Sequence, residues 1–221
     1  MDGTTARVLV LAPHADDAEF GLGAAFLRWQ AEYEPWVRVV IAACGDYVRS
    51  DGRPVQATER LAESARALSY LGVREIENAH WFAENQGFSC DYAGMVTGIE
   101  KQLETFRPDM VFTCLPSFNQ DHKVLFDATI TAFRNGYPDL YAYEYPGNAW
   151  GPPPPEFGRK YLPADERHVE AKIKALAMHK SQFDGRAAVV DPEAARTLAR
   201  QRGAEIGVPF AELCYVVREI G

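Results

Sequence analysis

Four of the six residues from 14 to 19 carry groups that do chemistry: His14, Asp16, Asp17 and Glu19, in the run P-H-A-D-D-A-E at 13–19. Three carboxylates so close repel one another and raise one another's pKa unless a cation lies among them. A bound metal ion removes that conflict. One Asp ahead of Gly21 would be an ordinary helix N-cap, but capping leaves His14 and the second Asp without a reason. A second cluster, S-F-N-Q-D-H at 117–122, adds Asn119, Asp121 and His122. His14, Asp17 and His122 together offer two imidazoles and a carboxylate. Three protein ligands with one position open is the catalytic zinc pattern, whereas structural zinc is usually four-coordinate and thiolate-rich. Asp16, beside a ligand yet itself free, is placed to take a proton from a water made acidic by the metal.

The fold must bring these clusters together. Residues 7–12 (R-V-L-V-L-A) form a continuous apolar run, as in a strand buried on both faces. The pattern then predicts a helix over 21–34, a strand over 37–44, a helix over 58–70 stopped by Gly72, and a short strand over 75–78. A helix over 92–105, a strand over 109–114, a helix over 122–133 and a strand over 141–145 follow. This alternation implies an α/β fold, a Rossmann-like parallel sheet with helices on both faces. If the strand order is 3-2-1-4-5, both clusters flank the switch point at the carboxyl edge, where such sheets bind ligands. The pattern stops over 146–163, where four consecutive prolines (152–155) favour an extended polyproline conformation, as a lid or a connector. Helices over 165–182 and 192–206 and a strand over 210–217 end the chain. The whole reads as one domain over 1–221, with a core of about 6–145 and a C-terminal elaboration of about 146–221.

Gly21-x-Gly23 also follows a strand, as in a dinucleotide-binding turn. There a pyrophosphate needs bare backbone N–H groups, and the carboxylates at 16, 17 and 19 would repel it. The net charge of −8, from 31 acidic and 23 basic side chains, argues against nucleic-acid or anionic-membrane partners. No run approaches the about 18 apolar residues of a membrane span, and the first residues lack a signal-peptide pattern. Cys44, Cys90, Cys114 and Cys214 show no Cys-x-x-Cys spacing and read as free thiols, so a cytoplasmic protein is the simplest expectation.

The ordered motifs resemble the PIG-L/LmbE family of metal-dependent N-deacetylases. Members carry a His-Pro-Asp-Asp-Glu-type motif after the first strand and His-x-Asp-His after a later one; here these read H-A-D-D-A-E and N-Q-D-H. Arg60-x-x-Glu63, in a helix ending at Leu71-Gly72, resembles the second-helix signature. Lys172-x-x-Ala175 with His179-x-Ser181-Gln182 resembles the C-terminal one. The resemblance implies His14, Asp17 and His122 as zinc ligands, Asp16 as general base and a Rossmann-like fold. It also implies hydrolysis of an N-acyl group, typically acetyl, from an amino-sugar-like or nucleotide-linked amine. The same donors could hold iron, cobalt or manganese.

Ala15 replaces the family proline, and Asn119 stands where the family has histidine. An asparagine amide donates a hydrogen bond but cannot deliver a proton. Asn119 is therefore expected to serve as the oxyanion donor, worth ~3 kcal/mol, with Asp16 returning its proton to the leaving amine. Asp121, which in the family pattern supports the missing histidine, is expected to orient Asn119 or a ligand. Two alternatives stand beside this reading: an amidase acting on a larger acyl group or thiol conjugate, and a metal-dependent binding protein without turnover.

Arg60 and Glu63, at i, i+3, read equally as a surface ion pair; the resemblance tips Arg60 toward substrate binding. His179 reads as a partner of a helix C-terminal dipole, and His80 and His168 as ordinary residues. Tyr47, Trp81, Phe82, Phe118, Tyr145 and Trp150 are candidate rim aromatics. Asp46, Arg49 and Asp51 form a candidate substrate loop.

Overall fold

The apolar run at the start becomes β1 (Arg7–Ala12), five of whose six residues are buried. It pairs in parallel with β2 (Trp36–Ile41) on one side and β6 (Met110–Cys114) on the other. The computed structural model describes residues 5–49, 51–136, 138–146, 157–182 and 191–220. β5 (Glu75–Asn78) and β7 (Asp139–Tyr143) extend the parallel array, in the order β5-β2-β1-β6-β7. The five parallel strands realise the expected 3-2-1-4-5 order. β9 (Phe210–Arg218) then runs antiparallel to β7, and β8 (Gly158–Ala164) antiparallel to β9.

β8 corrects the expectation that 146–163 has no regular structure. It is an edge strand, exposed at its start and half-buried along most of its length, so no apolar run marks it; its Pro163 is of the kind an edge tolerates. The proline run at 152–155 lies outside the described residues. A small hairpin of β3 (Tyr47–Val48) and β4 (Pro54–Val55) is likewise too short for periodicity to reveal.

Among the described residues, six α-helices cover the sheet: α1 (Asp17–Glu32), α2 (Ala57–Tyr70), α3 (Tyr92–Phe106), α4 (Gln120–Ala132), α5 (Glu166–Leu176) and α6 (Pro192–Glu205). α1 begins four residues earlier than the pattern predicts. This places Asp17 and Glu19 in its first turn, where the helix dipole favours acidic groups. α5 ends at Leu176 rather than Gln182, because buried side-chain bonds of the following residues draw the chain inward.

Gly21 and Gly23 serve close packing. A Cβ on Gly21 would collide with the Tyr143 ring, and one on Gly23 would lie 2.9 Å from Lys172 Cγ. Within the core, Phe112 packs between Trp29 and Tyr141 at centroid distances of 5.3 and 5.2 Å. All four cysteines are free. Among the described residues, no helix is long and apolar enough to cross a membrane.

Candidate active site

The two acidic clusters meet where β1 and β6 end side by side. Ala42 N and Ala43 N donate to Ala12 O and Pro13 O, carrying the β1–β2 ladder into the turn that holds His14. On the other side Asn119 caps α4, its Oδ1 accepting from Asp121 N at 2.8 Å. This brings Asp17 Oδ2 to 3.1 Å from His14 Nδ1 and 3.4 Å from His122 Nε2. One donor atom from each of these three buried residues lies within 4.8 Å of the others.

Asp121 is fully buried and ties the site together. Its Oδ2 accepts from His14 Nε2 at 2.9 Å and from Asn85 N at 2.6 Å, and its Oδ1 accepts from Gly87 N at 2.9 Å. Its carboxylate therefore orients His14, while Asn119 meets only its backbone amide. A carboxylate on the far nitrogen fixes the tautomer and leaves Nδ1 to face an ion. Burial opposes charge on His14, but the bonds from Asp121 and Asp17 push its pKa up to about 10. Burial would raise Asp17, yet His122 and His14 hold it well below the usual carboxylate range. Asp16, the N-cap residue of α1 without a side-chain cap bond, is pushed up to about 6 by burial and the Asp17 charge. Asp121→Asn is expected to weaken metal affinity about 10–100-fold, measurable by competition with a chromogenic chelator. An unchanged affinity would remove the orienting role.

A cavity of about 170 Å³ opens on this cluster, lined by Asp16, Asn119 and His122 together with Phe20, Arg60, Glu84, Tyr145 and Gln182. Arg60 and Glu63 correct the surface-pair reading: both are buried, and they do not pair with each other. Arg60 donates to both oxygens of Glu84 and to Gly45 O, while Glu63 accepts from Ser181 N and Ser181 Oγ. The helix face brings each to a partner on another segment. His179 is also corrected. It lies beyond the end of α5, fully buried, with Nε2 2.9 Å from Glu19 Oε1.

The candidate rim resolves unevenly. Tyr145 lines the cavity, its ring 4.9 Å from His122, and Phe118 is exposed. Tyr47 lies 5.2 Å from the Arg60 guanidinium, Trp81 and Phe82 pack with the core, and Trp150 lies outside the described residues. In the loop after β2, Asp46 Oδ1 accepts from Ala57 N and Arg49 donates to Lys180 O. Asp51 accepts from Arg53 N. His168 joins the capping box of α5, and His80 bonds Asn78. Sequence reasoning missed Glu84. Its one available signal is its place in the loop after β5, on the ligand edge.

A parallel sheet with two imidazoles and a carboxylate gathered at its switch point defines a Rossmann-like site-bearing fold. The chain belongs to the PIG-L family, described as GlcNAc-PI de-N-acetylase, which matches residues 9–133, more than half its length. No curated protein matches it. Among solved structures it resembles a deacetylase of the teicoplanin biosynthesis pathway in complex with teicoplanin. That match has 17% identity over 95% of this chain and 97% of the other, with a TM-score of 0.77. The N,N'-diacetylchitobiose deacetylase from Pyrococcus horikoshii matches at 20% identity over 96% and 83%, with a TM-score of 0.74. GalB, the 4-carboxy-2-hydroxymuconate hydratase from Pseudomonas putida KT2440, matches at 20% over 98% of each chain, with a TM-score of 0.72. At these identities the likeness is one of fold.

Proposed function

We propose that this chain is a metal-dependent hydrolase that removes an N-acyl group, typically acetyl, from an amino-sugar-like or nucleotide-linked amine. The carrying observation is the convergence of His14, Asp17 and His122 in one cavity that Asp16 also lines. Family membership supports the reading, as do two deacetylases among the structural neighbours.

The donor set fits a catalytic metal. Two imidazoles, which bind an ion only after losing any added proton, and a carboxylate suit zinc, and no thiolate joins the cluster. The Asp121 carboxylate on the remote nitrogen of His14 is the outer partner such ligands ordinarily have. His14, Asp17 and His122 would hold the ion. When bound, it supplies Lewis acidity that polarises the acyl carbonyl and acidifies the attacking water.

The remaining steps fall to this chain's own side chains. Asp16 takes the proton from the attacking water and hands it to the leaving amine, since no histidine stands at 119. Asn119 spends its Oδ1 on the α4 cap, which leaves its amide NH₂ to donate to the oxyanion that develops on the carbonyl. Asn119→Ala is expected to lower kcat by about 10²–10³-fold with KM little changed. Unchanged turnover would remove that role. A cavity of about 170 Å³ accommodates a small acyl group such as acetyl.

Metal stoichiometry tests the reading. About one divalent ion per chain is expected in the purified protein, and its loss in His122→Ala prepared identically. Release of acetate from N-acetylated amines should then require the ion. No metal in either protein, even after zinc is supplied, would overturn the hydrolase. A loaded protein that hydrates unsaturated acids and leaves amides intact would move it to the chemistry named for GalB.

A further inference from the structure

We infer that this pocket selects uncharged, hydroxyl-bearing substrates and turns anionic ones away, with Glu84 as the determinant; this rests on the proposed hydrolase. A buried arginine at a ligand edge ordinarily suggests a clamp for phosphate or carboxylate. Here that capacity is already spent. Arg60 Nη2 donates to Glu84 Oε1 at 3.0 Å and Nη1 donates to Glu84 Oε2. Nη1 also reaches Gly45 O at 2.9 Å, and Gln182, with its amide oxygen turned to the guanidinium, accepts from Nε at 2.6 Å and Nη2 at 3.1 Å. A guanidinium has five N–H groups, and these contacts engage all of them. Glu84 is itself fixed by Gly45 N at 2.9 Å, so an incoming anion would have to displace a carboxylate held from two sides.

The rest of the cavity wall points the same way. Among its described residues Arg60 is the one Lys or Arg side chain; the ion would offset Asp17, which leaves Asp16 and Glu84 as the acidic groups outside the ligand set. An anionic group bound against Glu84 rather than on the ion loses its water and gains repulsion, which costs more in a partly buried site than in solvent. Neutral hydroxyls meet no such penalty. They can donate to Glu84 and accept from the amide NH₂ that Gln182 turns away from Arg60. The Arg60–Glu84 pair thus supplies polar contacts on its own part of the wall without a free positive charge, the metal ion being the one cation a substrate group would meet beside the described residues.

The test compares kcat/KM of the metal-loaded full chain on N-acetylglucosamine, its 1-phosphate and its 6-phosphate, in phosphate-free buffer. The neutral sugar should be preferred at least tenfold over either phosphate. Glu84→Gln, which keeps a hydrogen-bonding group but uncovers the Arg60 charge, should shift the ratio toward at least one phosphate tenfold or more. Glu84→Asp should keep the wild-type preference. Equal or better use of a phosphate by the wild type, or an unmoved ratio in Glu84→Gln, overturns the inference. Calorimetric binding of the same three compounds separates it from the reaction itself. Binding that discriminates by charge without acetate release would sink the hydrolase and keep the selectivity. Binding that ignores charge, or no binding of any of the three, would sink the selectivity.

Discussion

Asp16→Asn is expected to lower kcat by about 10²–10⁴-fold while the metal content stays unchanged. The two halves of that result come from different features of the site. Asp16 lines the cavity but is not one of the three residues whose donor atoms converge, so its loss leaves the donor set complete. Its replacement keeps the size and removes the ability to accept a proton. The pH profile carries a second signature. Burial and the neighbouring Asp17 charge push Asp16 up to about 6. A base must be deprotonated to act, so activity should fall about tenfold per pH unit as pH drops below that pKa. An ion on Asp17 offsets part of the repulsion, which places the acid limb at or below about 6 in the loaded enzyme. Asp16→Asn should abolish this limb as well as the rate. If the variant kept the wild-type rate or the same acid limb, the base would be another residue.

How much of this was legible in the sequence depends on the range of the forces involved. The strand at 7–12 announces itself because a strand covered on both faces must be apolar throughout, and that is a local property. The His14, Asp17 and His122 cluster was legible for a related reason: groups that repel each other side by side imply something that reconciles them. Once alternation gave the strand order, the two clusters had to meet. Partnerships across the fold were not legible. Asp121 contacts His14 across 107 positions, and nothing near either residue says which of its neighbours it will choose. Arg60 and Glu63 lie three apart on α2, which suggested a mutual pair, yet Arg60 pairs with Glu84 on a loop that the pattern left blank, and Glu63 accepts from Ser181, which the pattern placed in a helix. Glu84 sits in such a loop, where no periodicity constrains it. β8 escaped because an edge strand need not be apolar, and His179 because a helix pattern can outlast the helix when buried side-chain bonds compete with the backbone ladder.

The Lys172–Glu212 pair was legible only as a motif residue without a task, and its removal should have the largest effect on stability. Lys172 Nζ lies 2.6 Å from Glu212 Oε1 and donates to Phe20 O at 2.5 Å. The two oxygens of Glu212 accept from Ala24 N at 3.0 Å and Ala25 N at 2.8 Å. The pair therefore reaches a carbonyl and an amide that face each other across one turn of α1, and it links that helix to α5 and β9. Gly23 allows the approach, since a Cβ there would meet the Lys172 stem. Both charged side chains are buried. Glu212→Ala would leave an ammonium with no counter-charge at this point and two helix amides without their carboxylate. The expected cost is about 3–5 kcal/mol. At roughly 2–4 °C per kcal/mol for a chain of this size, the melting midpoint should fall on the order of 10 °C. The double variant Lys172→Met with Glu212→Leu removes both charges and fills the space, so it should recover most of that loss. A midpoint within about 1 °C of the wild type in Glu212→Ala would show that the pair contributes little. A double variant no better than the single would show that packing, and not the stranded charge, sets the cost. Because α1 also carries Asp17 in its first turn, Glu212→Ala should loosen metal binding as it lowers the midpoint, whereas the double variant should restore both together.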